Sequence, residues 1–265
     1  MAAGLLTIDG SQSEGGGQVL RSSLALSLVT GRPVVIEKIR AGRKKPGLMR
    51  QHLTAVLAAA EVGTAEVEGA TLRSRRLVFR PGPVRSGDYV FRVGTAGSAT
   101  LVLQTVLPAL LVAKGQSNLT LEGGTHNPMA PPLDFLTESY LPLVNRLGPT
   151  VAAHLVRRGF YPAGGGQFAV YVRPAPQLGR LDLIQRGQIT AHRVRALVAN
   201  LPRHIAEREC RTIAQETGWD ADCFAVEEIR DARGPGNVVM IELAAEHVTE
   251  VFTAFGRLGV RAEDV

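Results

Sequence analysis

One stretch near the N-terminus combines residue types that could bind a phosphorylated ligand. Gly15, Gly16 and Gly17 follow a short apolar strand and lead directly into an amphipathic helix. Glycines let a backbone approach an oxyanion closely, and the free N–H groups and dipole of a helix N-terminus favour anions. The stretch therefore predicts a phosphate cradle. A purely structural glycine-rich turn fits the same residues, because the stretch matches neither of the common nucleotide-loop motifs.

The helix that follows carries three polar side chains on one face. Glu14, Gln18 and Arg21 are four and three positions apart, which brings a carboxylate, an amide and a guanidinium together. A carboxylate beside an arginine at a phosphate site indicates a divalent metal ion held by Glu14 and a phosphoryl group held by Arg21. The alternative is an exposed Glu–Arg face with no ligand.

A basic loop and the start of the next helix form a second candidate group. The cations of the loop are Arg40, Arg43, Lys44 and Lys45. Arg40 and Arg43 flank a glycine, so their guanidinium groups can converge on one anion, although a solvated basic turn is the alternative. The helix is predicted to begin near Pro46, which places Gln51 and His52 beside the loop. We expect these two side chains to face the same site.

The opening pattern returns about 84 residues later, which indicates a duplicated β-α-β-α-β-β unit. A shift of about 84 residues aligns Gly31 with Gly115 and the strand at 33–39 with the strand near 116–122. The second copy lacks the basic loop and retains Gln104 as a lone amide in an apolar helix. Gln104 is either paired in the core or faces a ligand. We predict repeats at about 1–84 and 85–184 that together form a large domain.

The pattern changes from residue 185 onwards. Strands are predicted at 187–199, 224–229 and 237–244, and helices at 202–217 and 247–256. We expect 185–265 to form a smaller α/β domain with its own core. The whole chain is therefore predicted to have an α/β (α+β) fold.

Composition limits the classes of function. The chain has 265 residues, of which 45% are hydrophobic and 20% charged, as in soluble globular proteins. Its start and its apolar runs suit neither a signal peptide nor a membrane span, so a cytoplasmic protein with no membrane partner is expected. Two cysteines are too few for a disulfide framework. The net charge of +6 and the pI of about 9.8 favour polyanionic partners without specifying them.

Five motifs occur in order along nearly the whole chain: DGSxxEGGGQ, RAGRxKPGLxxQHL, GSATLVLQTVLPAL, NPMAPPLDF and FYPAGGG. In these motifs the sequence resembles the RNA 3′-terminal phosphate cyclases. The resemblance implies repeated β-α-β-α-β-β units with a small thioredoxin-like α/β domain inserted before the last unit. It also implies an ATP-dependent ligase that converts an RNA 3′-phosphate to a 2′,3′-cyclic phosphate through enzyme–AMP and RNA-adenylate intermediates. RNA 3′-phosphate ends would be the partners, and a dimer is one option for the oligomeric state.

The resemblance also implies roles for individual residues. Glu14 would hold Mg²⁺ or Mn²⁺ on the phosphates of ATP, Arg21 and Arg43 would stabilise phosphate charge, and Pro131 would pack against the adenine. The side chains implied to line the nucleotide and phosphate site are Gln18, Arg21, Arg40, Arg43, Gln51, His52 and Gln104.

The nucleophilic histidine of the family is expected beyond Val265, in a final repeat after the inserted domain. We assign that role to none of the six histidines, so this chain by itself is expected to be inactive, with an incomplete smaller domain.

Two other functions are consistent with the sequence. A non-catalytic cyclase-like protein that binds RNA or a ribosomal precursor would need no nucleophile, but a metal carboxylate such as Glu14 favours the enzyme. A transferase acting on a small phosphorylated substrate is supported only by kinship of fold, which is weak evidence for function.

Overall fold

The computed structural model describes residues 4–12 and 15–265, and its architecture is α/β. The first unit contains β1 (Leu6–Asp9), α1 (Gly17–Thr30), β2 (Val34–Glu37), α2 (Arg50–Val62), β3 (Glu66–Glu68) and β4 (Leu77–Arg80). Its four strands form a sheet in the order β1-β2-β4-β3. β1 and β2 are parallel, and β4 runs antiparallel to both of its neighbours.

The second unit has the same sheet order and the same strand directions. Its elements are β5 (Asp88–Arg92), α3 (Ala99–Leu110), β6 (Ser117–Gly123), α4 (Leu133–Phe135), α5 (Leu141–Asn145), β7 (Thr150–Arg157) and β8 (Gly166–Arg173). A π-helical turn, Leu136–Tyr140, joins α4 to α5. The strand order is β5-β6-β8-β7, with β5 and β6 parallel and β8 antiparallel to its neighbours. This is the arrangement that a duplicated β-α-β-α-β-β unit produces.

A third sheet lies in the C-terminal part. Its elements are β9 (Ile189–Ala199), α6 (His204–Thr217), β10 (Phe224–Ile229), β11 (Gly236–Ala245) and β12 (Thr249–Phe255), with strand order β10-β9-β11-β12. β9 and β10 are parallel and connected through α6. The helix predicted at 247–256 is wrong, because this segment is β12 and pairs antiparallel with β11. Its β-branched and aromatic residues favour an extended strand.

Two other predictions about the first unit are also wrong in detail. The second helix begins at Arg50 rather than near Pro46, because Leu48 forms backbone hydrogen bonds with the 71–76 loop and is held outside the helix. The sequence pattern also predicts a strand at Leu72–Phe79, but the same bonds keep 71–76 out of β4, which begins at Leu77. The short edge strand β3 was not predicted, since its sequence is Glu-Val-Glu and carries little apolar signal.

The helices of the first two units pack against one another. Leu20, Leu24 and Leu28 on α1 are buried against the first sheet, and burial of each stabilises the fold by roughly 1.5–3 kcal/mol. Ala58 and Val62 on α2 join the core of the second unit. α2 therefore contributes to both cores and fixes the relative positions of the starts of the helices.

A buried charge network connects the second unit to the third sheet. Asp134 Oδ2 is 2.8 Å from Nε2 of His126, which is fully buried. Arg195 donates from Nη2 to Asp134 Oδ1 at 2.7 Å and to Glu242 Oε1 at 2.7 Å. Burial alone would raise the pKa of Asp134, but the contacts with His126 and Arg195 hold it well below its usual range. The network therefore holds β9 against the start of α4.

Among the helices that the structure describes, none combines the length and apolar character needed to cross a bilayer.

Candidate functional site

A cavity of about 830 Å³ opens where α1, α2 and α3 begin. This volume is within the range of small-molecule sites. Its lining consists of Gln12, Gly16, Gly17, Gln18, Val19, Arg21, Ser22, Arg40, Arg43, Gln51, His52, Ser98, Leu101, Asn127, Met129 and Ala130. Three helices begin at this one cavity, and the positive dipole ends of helix N-termini attract anions.

The consecutive glycines permit the close approach of two cationic segments. A Cβ on Gly17 would overlap the imidazole of His52 and would lie 2.9 Å from Arg21 Nη1. A Cβ on Gly16 would lie 2.9 Å from Arg43 Nη2. The sequence suggested that the glycines make room for an oxyanion. In the structure, the space beside them holds the guanidinium and imidazole groups that surround the cavity.

Arg21 is a buried cation with neutral partners. The residue is 7% exposed, and it donates from Nε to Gln104 Oε1 at 3.1 Å and from Nη2 to Gln18 Oε1 at 2.7 Å. In the part of the chain that the structure describes, no carboxylate pairs with it. Burial lowers the pKa of Arg21 to about 10, so the group stays charged at neutral pH. A buried charge without a counterion is costly, and an anionic ligand would compensate it.

His52 is a neutral imidazole beside the arginines. It is 9% exposed, and its Nδ1 has no hydrogen-bond partner among the described residues. Burial, together with the charges of Arg40 and Arg21, lowers the pKa of His52 to about 3. The ring is therefore uncharged at neutral pH.

Arg40 and Arg43 bring the basic loop to the cavity. Arg40 donates from Nη1 to the carbonyl oxygens of Lys45 at 2.7 Å and Gly47 at 2.8 Å, which fixes the turn of the loop. Burial and the charge of Arg43 lower the pKa of Arg40. Like charges held this closely indicate a site for an anion.

Gln51 connects the first unit to the second at the cavity. Its Oε1 accepts a hydrogen bond of 2.8 Å from the backbone N–H of Ser98. Ser98 is the N-cap of α3, and its Oγ accepts from Leu101 N at 3.2 Å. The start of α3 is thus held against the start of α2.

The structure brings most of the predicted site residues to this one cavity, but two of the described ones, Gln104 and Pro131, do not line it. Gln104 is exposed and supports Arg21 through its amide oxygen. Pro131 follows the lining residue Ala130, and its carbonyl oxygen accepts from Thr100 Oγ1 at 2.8 Å. Glu14, the predicted metal ligand, lies outside the described residues.

The second unit supplies lining residues that were not predicted, namely Ser98, Leu101, Asn127, Met129 and Ala130. Asn127 donates from Nδ2 to Ala96 O at 2.6 Å, and its buried Oδ1 has no partner among the described residues. The repeat offered a signal for this segment, because it aligns the loop at 125–128 with the basic loop.

Comparison with known proteins identifies the family. A model of the RNA 3′-terminal phosphate cyclase family matches residues 12–255. The chain belongs to this family. It is 53% identical over 261 residues to an RNA 3′-terminal phosphate cyclase from Koribacter versatilis (strain Ellin345), covering 98% of this chain and 74% of the relative. It is also 52% identical over 261 residues to an RNA 3′-terminal phosphate cyclase from Ralstonia nicotianae (strain ATCC BAA-1114 / GMI1000). That alignment covers 98% of this chain and 75% of the relative.

Within the described residues, no group of three or more His, Cys, Asp or Glu side chains is placed to hold a metal ion.

Proposed function

We propose that this chain carries the ATP and phosphate site of an enzyme that converts an RNA 3′-phosphate to a 2′,3′-cyclic phosphate. Membership of the RNA 3′-terminal phosphate cyclase family supports the reaction class. The observation that carries the proposal is the buried guanidinium of Arg21, which has no carboxylate partner among the described residues, at a cavity where three helices begin. An anion bound there would meet N–H donors and guanidinium groups that are already in place.

The cavity suits a nucleoside triphosphate in size and in chemistry. Its volume of about 830 Å³ and its arginines fit a polyphosphate. Leu101, Met129 and Ala130 give one part of the lining an apolar character that fits a purine. We assign the adenine contact to Pro131, the residue after Ala130.

The metal ion of the proposal is Mg²⁺ or Mn²⁺ held by Glu14. Mg²⁺ is commonly bound through one or two carboxylates together with substrate phosphates. The proposal therefore needs one protein carboxylate, that of Glu14, together with the phosphates of ATP.

Each lining side chain has a definite role in this proposal. Arg21 and Arg43 stabilise phosphate charge, and Arg40 positions the loop that presents Arg43. Neutral His52 and the amide of Gln18 provide hydrogen bonds to phosphate oxygens without further charge. ATP, when bound, supplies an AMP leaving group for the RNA phosphate, which the neighbouring 2′-hydroxyl then displaces.

We assign the histidine nucleophile to none of the residues in 1–265. His52 lines the cavity, but in this proposal it is a phosphate ligand, and His126 is enclosed between Thr125 and Asp134. Incubation of the chain with α-labelled ATP and Mn²⁺, followed by denaturing electrophoresis that preserves a phosphoramidate, should leave the chain unlabelled. A labelled band that disappears in His52→Gln would overturn this assignment.

The remaining features of the proposal concern organisation. We propose that 1–184 form a large domain of two repeats, that 185–265 form a smaller α/β domain, and that the protein acts in the cytoplasm.

The selectivity of RNA binding tests the proposed function. Fluorescent RNAs of one sequence, ending either in a 3′-phosphate or in a 3′-hydroxyl, are titrated with the chain in the presence of Mn²⁺. The phosphate end should bind at least tenfold more tightly, because it alone presents a doubly charged group to Arg21 and Arg43. Equal affinity for the two ends, together with no effect of ATP, would support the alternative of a non-catalytic RNA-binding protein.

A further inference from the structure

Two loops beside the cavity form one continuous cationic surface. The first is the 40–50 loop, and the second is the 71–76 loop between β3 and β4. One exposed cation of these loops, Arg76, is paired with Glu37 at 3.6 Å. The other exposed cations outside the cavity, which we call the basic surface, are Lys44, Lys45, Arg50, Arg73 and Arg75.

Backbone hydrogen bonds hold the two loops edge to edge. Ile39 N donates to Arg75 O at 3.0 Å, Leu48 N donates to Ser74 O at 3.0 Å, and Arg73 N donates to Leu48 O at 2.7 Å. Gly47 has a φ of +79°, and a Cβ at this position would overlap the backbone of Arg73. The glycine is therefore required for the 71–76 loop to come this close.

The charges of the basic surface are not neutralised within the described residues. None of its five cations has a carboxylate partner there, whereas other exposed cations nearby are paired. Lys38 bonds to Asp9 at 2.9 Å and Arg80 to Glu68 at 2.6 Å. A set of adjacent unpaired cations repels itself and attracts a polyanion.

The basic surface is continuous with the cavity. Arg43 lines the cavity and immediately precedes Lys44 and Lys45 in the chain. The Cα atoms of Arg43 and Lys45 can be at most about 7 Å apart. A polyanionic chain whose terminal phosphate is bound at Arg43 would therefore contact Lys44 and Lys45 first. It would then reach the adjoining loop that carries Arg73 and Arg75.

We propose that the basic surface binds the sugar–phosphate backbone of the RNA on the 5′ side of its terminal phosphate. The inference rests on the proposed function, because that function places the RNA end in the cavity. Segments 40–50 and 71–76 contain no aromatic residue, so the surface offers no platform on which bases can stack. Recognition here is of phosphodiesters, and it does not depend on the base sequence.

The length dependence of RNA binding tests the inference. A dinucleotide and a decanucleotide with the same 3′-phosphorylated end are titrated with wild type and with the double variant Arg73→Gln/Arg75→Gln. The control is Arg211→Gln/Arg257→Gln, which removes two exposed charges far along the chain, on α6 and after β12. The decanucleotide should bind the test variant roughly tenfold more weakly, and its salt dependence should fall by about 1.4 in slope.

The dinucleotide should bind wild type, Arg73→Gln/Arg75→Gln and the control variant with equal affinity. The decanucleotide should bind the control variant as tightly as it binds wild type. Unchanged decanucleotide affinity and salt slope in the test variant would overturn the inference, as would an equal loss for both RNAs. Lys44→Gln/Lys45→Gln is a second test variant on the other loop; because these lysines lie next to Arg43, it should weaken binding of both RNAs, and of the decanucleotide more than of the dinucleotide.

A decanucleotide ending in a 3′-hydroxyl separates this inference from the proposed function. If wild type does not prefer the 3′-phosphate, the proposed function fails, while a loss confined to long RNAs still supports the basic surface. If the preference is present and the test variants bind long RNAs normally, only the basic surface is disproved.

Discussion

Arg21 and Gln104 lie 83 positions apart in the chain and are joined by a hydrogen bond of 3.1 Å from Nε to Oε1. The separation is close to the offset between the two repeats, so the bond links nearly equivalent positions on α1 and α3. Two arginines at these positions would repel each other. The amide of Gln104 instead accepts from Arg21 and orients it, so this pair of positions presents a single cation, Arg21, to the cavity.

Replacement of Arg21 should separate ligand affinity from stability. Arg21→Met removes a buried cation whose partners within residues 4–12 and 15–265 are two amides, and the exposed Gln18 and Gln104 can bond to water instead. We expect the affinity for ATP to fall by roughly 30-fold, since loss of a buried charged hydrogen bond costs at least about 2 kcal/mol. The free energy of unfolding should rise by about 1 kcal/mol. Titration calorimetry measures the affinity for ATP, and urea denaturation measures the free energy of unfolding. Arg211→Met is the control for both. A variant that is less stable yet binds ATP normally would show that Arg21 is structural.

His52 should make stability depend on pH. Its pKa is about 3 in the folded chain against 6.5 for an unperturbed imidazole, so the unfolded chain takes up the proton first as the pH falls. The contribution of His52 to the free energy of unfolding is complete above pH 6.5 and is lost progressively below it. Between pH 7 and pH 5, wild type should lose about 2 kcal/mol more stability than His52→Gln. Urea denaturation at the two pH values measures this difference, and His204→Gln controls for loss of an imidazole. Parallel pH profiles for wild type and His52→Gln would contradict the expectation.

Arg195 should be important for stability because it compensates two buried carboxylates. Arg195→Met leaves Asp134 and Glu242 without this cation and should lower the free energy of unfolding by about 3–5 kcal/mol. Arg193→Met is a matched control on the same strand. Arg193 also pairs with Glu242, but its side chain is 53% exposed, so its removal should cost less than about 1 kcal/mol. Similar losses in the two variants, measured by urea denaturation, would rule out a special role for the buried network.

Glu209 should have the opposite pH dependence to His52. Burial raises its pKa to about 7, and its Oε1 has no partner among the described residues, although Asn237 donates to Oε2 at 3.0 Å. The folded chain therefore keeps a proton that the unfolded chain has released, and stability falls as the pH rises from 4.5 to 7. Glu209→Gln should stabilise the protein by about 2 kcal/mol more at pH 8 than at pH 5. Glu207→Gln, an exposed position on the same helix, is the control. An equal effect of Glu209→Gln at the two pH values would contradict this account.

The α/β class and the major elements were predictable because their apolar segments are bounded by glycine, proline and polar turns. α1, α3 and α6 each have the pattern of a helix, and β10 was predicted at its observed bounds of Phe224–Ile229. β12 was predicted as a helix because an apolar run this short fits both periods. Only its pairing with β11 distinguishes the two alternatives, and pairing is a long-range property that the local sequence does not contain.

The candidate site was predictable where its residues occur in local motifs. Gln18, Arg21, Gln51 and His52 are grouped near helix starts, so their convergence followed from the sequence. Asn127 was not assigned to the site: the repeat aligns its loop with the basic loop, but an amide in a polar loop does not by itself indicate a ligand contact.

Titration of the chain with ATP in the presence of Mn²⁺, beside an identical titration with adenosine, tests the central claim most directly. If the cavity at the starts of α1, α2 and α3 is a phosphate site, ATP should bind at least 100-fold more tightly than adenosine, a difference of about 2.7 kcal/mol. Equal binding of ATP and adenosine, or no binding of ATP, would contradict the claim that Arg21 and its neighbours hold the phosphates of a nucleotide.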